Sequence, residues 1–272
     1  MALLRIAPSA SAPKRPDDLS NYRHRQLIGY IGLALPWLLI LVVLWRDGRA
    51  VWEGLDSVSA YYYTGANALF VGMLFVLGVF LFAYEGYDNK FLKWERLFAK
   101  IAAVAAVLVA FFPTAAPKVE GITPLAWWDP WVGRIHFGAA VVLFVIFAVF
   151  CLWLFRATER SAAKPERDKD KIPAPDSDKK WRNRFYALCG VVIFGCIIWA
   201  GYNGADGEPI FWQEAIALTF FALSWLVKGY WLRSIAKLSG VKPAAKVARS
   251  WLAPKGSVID EEEDSAKRDR GH

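Results

Sequence analysis

The sequence predicts an all-α polytopic membrane protein, a bundle of six transmembrane helices, on three observations. Residues 57–88 read SVSAYYYTGANALFVGMLFVLGVFLFAYEGYD, with no charge between Thr64 and Glu85. A run of that length matches the roughly 20 residues a helix needs to cross hydrocarbon. Second, the chain is 56% hydrophobic, yet its charges fall in blocks between apolar runs. A soluble domain would carry them throughout. Third, alternate connections differ in charge: residues 1–26 hold five Lys and Arg, 85–100 four, 156–184 ten, and Lys228 onward ten. Only Arg46, Arg49, Lys118 and Arg134 of the 33 fall on the other side. Basic residues are retained on the cytoplasmic side during insertion, so both termini are expected there, in a bacterial inner (plasma) membrane.

The elements follow in order. Residues 1–26 mix Pro, Ser, Ala and basic groups and read as a disordered cytoplasmic arm, without an apolar core long enough for a cleavable signal peptide. The expected spans are about 27–45, 66–84, 97–112, 135–155, 185–202 and 210–232, together one transmembrane domain over 27–232. Pro36 falls near the middle of the first, a position that membrane helices tolerate when neighbours support the freed backbone. Ala102, Ala106 and Ala110 put a stripe of small side chains on the third, which lets another helix approach. The connection 113–134 carries WWDPW, whose Trp127, Trp128 and Trp131 suit headgroup-level anchoring. Residues 156–184 form a charged, Pro-containing cytoplasmic linker, and 233–272 a cytoplasmic tail in which part of 241–252 could lie on the membrane surface.

Composition also excludes. The net charge of +8 sits beside membrane spans, which points to anionic lipid headgroups and not to nucleic acid. Cys151, Cys189 and Cys196 lie inside apolar runs without a CxxC pairing, so buried free thiols are expected. One membrane histidine cannot build a hydrolytic metal centre or a haem ligand pair, and no metal or cofactor is expected. No Walker, GxSxG or HExxH motif occurs.

Polar groups in a membrane span need a reason. With the topology above, an outer set gathers from different spans: Ser57, Ser59, Tyr61, Tyr62, Tyr63 and Asn67 before or at the start of the second, Thr114 after the third, His136 in the fourth, Tyr202 and Asn203 closing the fifth, and Glu214 in the sixth. Of these, Ser59, Tyr62, His136, Tyr202, Asn203 and Glu214 are the candidate ligand-binding residues. A histidine and a carboxylate in a half-dry setting can share a proton or hold a polar headgroup. An inner set comprises Glu85, Tyr87, Asp88 and Lys228, with Glu85 or Asp88 expected to pair with Lys228 as a structural clamp.

FFPT at Phe111–Thr114, followed by RIHFGAAVVLF at Arg134–Phe144, resembles the FP…H-x-x-x-A signature of the six-helix Frag/DRAM/Sfk-like membrane proteins and their bacterial relatives of unknown function. The AYYYTGANALFVGMLF block from Ala60, the YEGYD block and the SWLVKG run at Ser224–Gly229 are similar too. The resemblance covers roughly 25–232 and implies lipid-facing work, with His136 the first residue to carry over. The long charged linker departs from that pattern.

The leading functional expectation is a non-catalytic protein binding a lipid or small ligand in the outer half of the bundle. One alternative is a lipid-modifying enzyme with His136 and Glu214 as an acid/base pair. Another is a scaffold or transporter component meeting a protein partner through 156–184 or 233–272.

Overall fold

A computed structural model describes residues 17–48, 55–86, 89–157 and 177–229. Six α-helices occur among these residues: α1 (Asp17–Asp47), α2 (Asn67–Phe82), α3 (Leu92–Phe111), α4 (Pro130–Leu152), α5 (Ser177–Ala205) and α6 (Phe211–Lys228). Short 3-10 turns at Ser59–Tyr63 and Leu154–Arg156 complete the regular structure, with no strand among the described residues.

Each helix packs on the next, and α6 packs on α1, so the six close into a ring. Phe147 of α4 stacks on Phe221 of α6, with centroids 3.5 Å apart, across the middle of that ring. Consecutive helices run in opposite directions, as contacts at their ends show. The end of α1 meets the start of α2, where Asp47 accepts from the Gly65 N–H at 2.9 Å. The starts of α4 and α6 meet the segment before α2. At the opposite end the start of α1 meets the end of α2, where His24 lies 2.6 Å from the Phe80 carbonyl.

Small residues set the helix spacing. Ala102, Ala106 and Ala110 are all buried in α3, along with Ala99, Ala103 and Ala105. A methyl group built on Gly29 of α1 would lie 2.7 Å from Leu226 Cγ and 3.0 Å from the Ala222 carbonyl oxygen of α6. The two backbones come that close because the glycine has no side chain.

Three helical stretches are long and apolar enough to cross a membrane: Tyr22–Asp47, Pro130–Arg156 and Lys180–Ala205. Asn67–Phe82 is apolar but shorter. Length and composition therefore support three crossings among the described residues, against the six read from the sequence. The shortfall has a physical cause. α3 begins inside the charged block, at Leu92, and carries Lys93, Glu95, Arg96 and Lys100 in its first turns. α6 has 18 residues and includes Glu214 and Lys228.

Helix ends also differ from the hydropathy boundaries. α1 starts at Asp17, inside the stretch expected to be a disordered arm, and α5 starts at Ser177, inside the expected linker. A helix continues past its apolar core wherever charged side chains can reach water or find buried partners, and hydropathy does not register that extension. The tail 233–272, including 241–252, and linker residues 158–176 lie outside the described residues.

The Gly29 contact is testable. Gly29→Val should destabilise the bundle by about 1–3 kcal/mol, the usual range for overfilling a packed core. Gly72, with nothing within 4 Å of a built methyl group, should accept valine without change in the thermal midpoint of detergent-solubilised protein.

Candidate functional site

The end of the ring where the expected outer set lies is built around residues 55–66, regular only in the 3-10 turn Ser59–Tyr63, whose Leu55, Val58, Ala60 and Tyr61 are core residues. Its backbone is partly satisfied by itself: the Ala60 N–H donates to the Ser57 hydroxyl at 3.1 Å, and the Thr64 hydroxyl donates to the Tyr61 carbonyl at 2.8 Å. The Asn67 side-chain amide donates to the Tyr62 carbonyl. Two helices supply the rest. The Glu214 carboxylate, from the first turn of α6, accepts from the Val58 N–H at 2.7 Å. His136, from the first turns of α4, places Nε2 at 2.9 Å from the Ser59 hydroxyl and Nδ1 at 2.6 Å from the Phe112 carbonyl.

Chemistry assigns the protons here. A carbonyl oxygen only accepts, so Nδ1 carries the N–H. In the neutral ring, Nε2 then presents its lone pair to Ser59, whose hydroxyl donates. Ser59 and His136 are 7% and 5% exposed, so this arrangement is enclosed. Tyr63 ties the segment to the end of α3 by donating to the Thr114 carbonyl at 2.6 Å. Burial, and the neighbouring Tyr62, push the Tyr63 phenol up to about 12, so it remains a donor at any physiological pH.

Two further polar groups at this end have no partner among the described residues. Tyr61 is fully buried with its ring 5.9 Å from Phe211 at the start of α6, and its hydroxyl makes no hydrogen bond. Burial alone raises its phenol above the ordinary value. Gln213, buried in the same first turn of α6, leaves its side-chain amide equally unpartnered. Neither is sealed off, because Trp225 Nε1 alone among the described buried side-chain polar atoms is both sealed and unpartnered. That indole sits among the rings of Tyr84, Phe150, Phe155 and Phe221, with centroids 5.0–5.8 Å away. Their electron-rich faces are the acceptors left to it.

Of the candidate ligand residues, then, Ser59, His136 and Glu214 come together on two consecutive positions, Val58 and Ser59. Tyr62 is half-buried against Phe70 and Tyr63, at the side of the same segment. Tyr202 is not part of the cluster: it is 72% exposed on the outside of α5. The Asn203 carbonyl accepts from the Asp206 and Glu208 N–H groups to close the α5–α6 turn. Gln213 was missed because hydropathy treats a polar residue beside Glu214 as part of a helix end. Its signal was simply a second polar side chain in a turn that the core must cover.

The opposite end of the ring differs from expectation more strongly. Glu85 does not pair with Lys228. It is 77% exposed and faces Arg96 at 3.9 Å, because Gly86 (φ 77°) turns the chain as it leaves α2 and points Glu85 outward. Lys228 is buried and donates to the Phe155 carbonyl at 3.3 Å, with its ammonium 5.8 Å from that ring's centroid. Asp88 and Tyr87 lie outside the described residues.

The buried carboxylate here is Glu95 instead, 0% exposed, accepting from Tyr84 Oη at 3.1 Å and from the Asn89 amide at 2.7 Å. Arg25, 1% exposed, donates to Tyr84 Oη and to the Gly86 carbonyl, both at 3.4 Å. Sequence reasoning assigned Arg25 to a flexible arm and Glu95 to a solvated loop, since neither lies in an apolar run. Cys151, Cys189 and Cys196 are free and buried, and Cys151 donates to the Ser224 hydroxyl at 3.1 Å. No group of three metal-ligating side chains occurs among the described residues.

The fold and site thus define a helical bundle with three membrane-length apolar helices and a polar cluster at each end. Compared with known proteins, the chain matches no family model, no curated protein and no solved structure.

The inner network separates two acidic residues that look alike in sequence. Glu95→Ala should lower stability by about 3 kcal/mol, since it strips acceptors from the buried Tyr84 and Asn89 donors, each worth roughly 1–3 kcal/mol when orphaned. Glu85→Ala should leave the thermal midpoint unchanged, as surface ion pairs contribute little.

Proposed function

We propose that this chain is an integral membrane protein that crosses a bacterial inner membrane six times, with both termini cytoplasmic. We further propose that the outer end of its bundle binds the polar part of a lipid or small ligand. The observation carrying the binding reading is the cluster itself, where the side chains of Tyr61 and Gln213 are buried but their polar atoms are neither partnered among the described residues nor sealed off. Polar atoms left accessible in an otherwise enclosed cluster favour a ligand that completes their hydrogen bonds.

Crossing is supported by the outward surface. Leu41, Val76, Val79, Val104, Val142, Val191 and Ile198 face outward around the ring, an apolar girdle far beyond what a water-facing monomer carries. Exposed tryptophans bracket it. Trp131 and Trp153 flank α4, and at 1.5 Å per residue they stand about 33 Å apart along the helix axis. Trp181 and Trp199 on α5 are about 27 Å apart by the same measure. Both spacings suit a hydrocarbon layer of roughly 30 Å with aromatic residues at its edges. α3 packs between α2 and α4, and α6 between α5 and α1, which supports reading them in the same layer. The resemblance to Frag/DRAM/Sfk-like proteins points the same way.

Threading can be read with single cysteines, since the native thiols are buried. A membrane-impermeant maleimide should label Lys118→Cys in intact cells and Lys90→Cys only after permeabilisation; the reverse pattern rejects the topology. For binding, Tyr61→Phe and Gln213→Leu break no hydrogen bond among the described residues, so both should fold at least as stably as the parent. Each should nevertheless lower the lipid that co-purifies with the protein, measured by mass spectrometry of the extract. Unchanged lipid content in the double variant would refute the site.

A further inference from the structure

We propose that Ser59 is a nucleophile and His136 its general base, in an acyl-transfer site at the outer end of the bundle. The inference rests on the binding reading above and goes beyond it. A serine becomes nucleophilic when a base sits within hydrogen-bond reach and a third group orients that base. All three parts are present. Nε2 is 2.9 Å from Ser59 Oγ, and the Phe112 carbonyl holds Nδ1–H at 2.6 Å, which leaves Nε2 free to take a proton. The Val109 carbonyl makes a second backbone contact to the ring. These carbonyls belong to the last turn and cap of α3, which ends at Phe111. A helix C-terminus stabilises a nearby cation, so it serves the imidazolium as a carboxylate would.

The serine is itself fixed. Glu214 holds the Val58 N–H and also contacts the Ser59 N–H, so it positions the nucleophile's backbone without facing the reacting atoms. The unpartnered Tyr61 hydroxyl and Gln213 amide are donors at the same end of the bundle, available to a substrate carbonyl oxygen as it gains charge. The substrate class is an acyl ester with a polar head, such as a membrane glycerolipid, whose ester groups lie at the depth of a helix end.

The steps balance without a redox partner. Ser59 Oγ bonds to the ester carbonyl carbon while its proton passes to His136 Nε2. The carbon–oxygen bond to the alcohol breaks, and Nε2 returns the proton to the departing oxygen. Water, or the hydroxyl of a second lipid, then attacks the acyl-serine, gives its proton to Nε2 and carries off the acyl group. Ser59 recovers its proton from the imidazolium.

The test is covalent labelling of the full chain in lipid nanodiscs with a fluorophosphonate, whose fluoride leaves as the serine oxygen bonds to phosphorus. Labelling is expected on the peptide containing Ser59, absent in Ser59→Ala, and slowed about 100-fold or more in His136→Gln, the lower range for loss of a general base. Because His136→Gln removes two hydrogen bonds, Ser59→Ala at an unchanged unfolding temperature is the deciding variant. Failure of the parent to label, or label persisting in Ser59→Ala, overturns the proposal. If the parent stays unlabelled while lipid still co-purifies and Tyr61→Phe still lowers it, the dyad falls and the binding reading stands. If lipid does not depend on Tyr61 or Gln213 either, both fall.

Discussion

A backbone that leaves the helix and is covered by the core must find hydrogen-bond partners other than water. Residues 55–66 do this at one end of the ring of helices. Their partners are side chains borrowed from elsewhere in the chain: Glu214 for the Val58 N–H, Asp47 for the Gly65 N–H, and Asn67 for the Tyr62 carbonyl. The segment in turn closes the mouth of the ring with Tyr61 and Val58. His136 exists in its observed orientation because both of its nitrogens are engaged, one by the end of α3 and one by Ser59. The geometry that makes the outer site chemically interesting is thus a consequence of sealing a ring of helices with irregular chain.

The two ends of the bundle handle buried polarity differently. At the end away from residues 55–66, Arg25, Tyr84, Glu95 and Asn89 form a continuous chain of donors and acceptors linking α1, the end of α2 and the start of α3. Gln26 adds a bond from its amide to the Gly229 carbonyl at 2.6 Å, tying α1 to the end of α6. Such a network resists opening, since losing any member orphans another. The end built on residues 55–66 holds Tyr61 and Gln213 with polar groups that have no partner among the described residues. The bundle is thus locked at one end and chemically open at the other.

Much of this was legible in the residues. The apolar runs named the helices, and the alanine stripe of α3 named a packing face that the structure buries. Ser59, His136 and Glu214 were recognisable as polar groups near helix ends on one side. Their meeting could not be read, because it depends on the rotation of α4 and α6 about their own axes and on a five-residue 3-10 turn. Tyr202 shows the same limit from the other direction: it lies at the right depth, on the wrong face. Arg25 and Glu95 escaped notice because a charged residue beyond an apolar run is ordinarily solvated, and only long-range packing buried them.

The sequence by itself determined what is additive along a chain: six helices, their order and the small-residue face of α3. Hydrophobicity is a property of each residue, so its sum over a window survives without knowledge of the fold. Only the tertiary structure decided which polar groups share a hydrogen bond. A hydrogen bond requires two groups within about 3 Å and correctly aimed, a condition set by helix rotation and by contacts far apart in sequence.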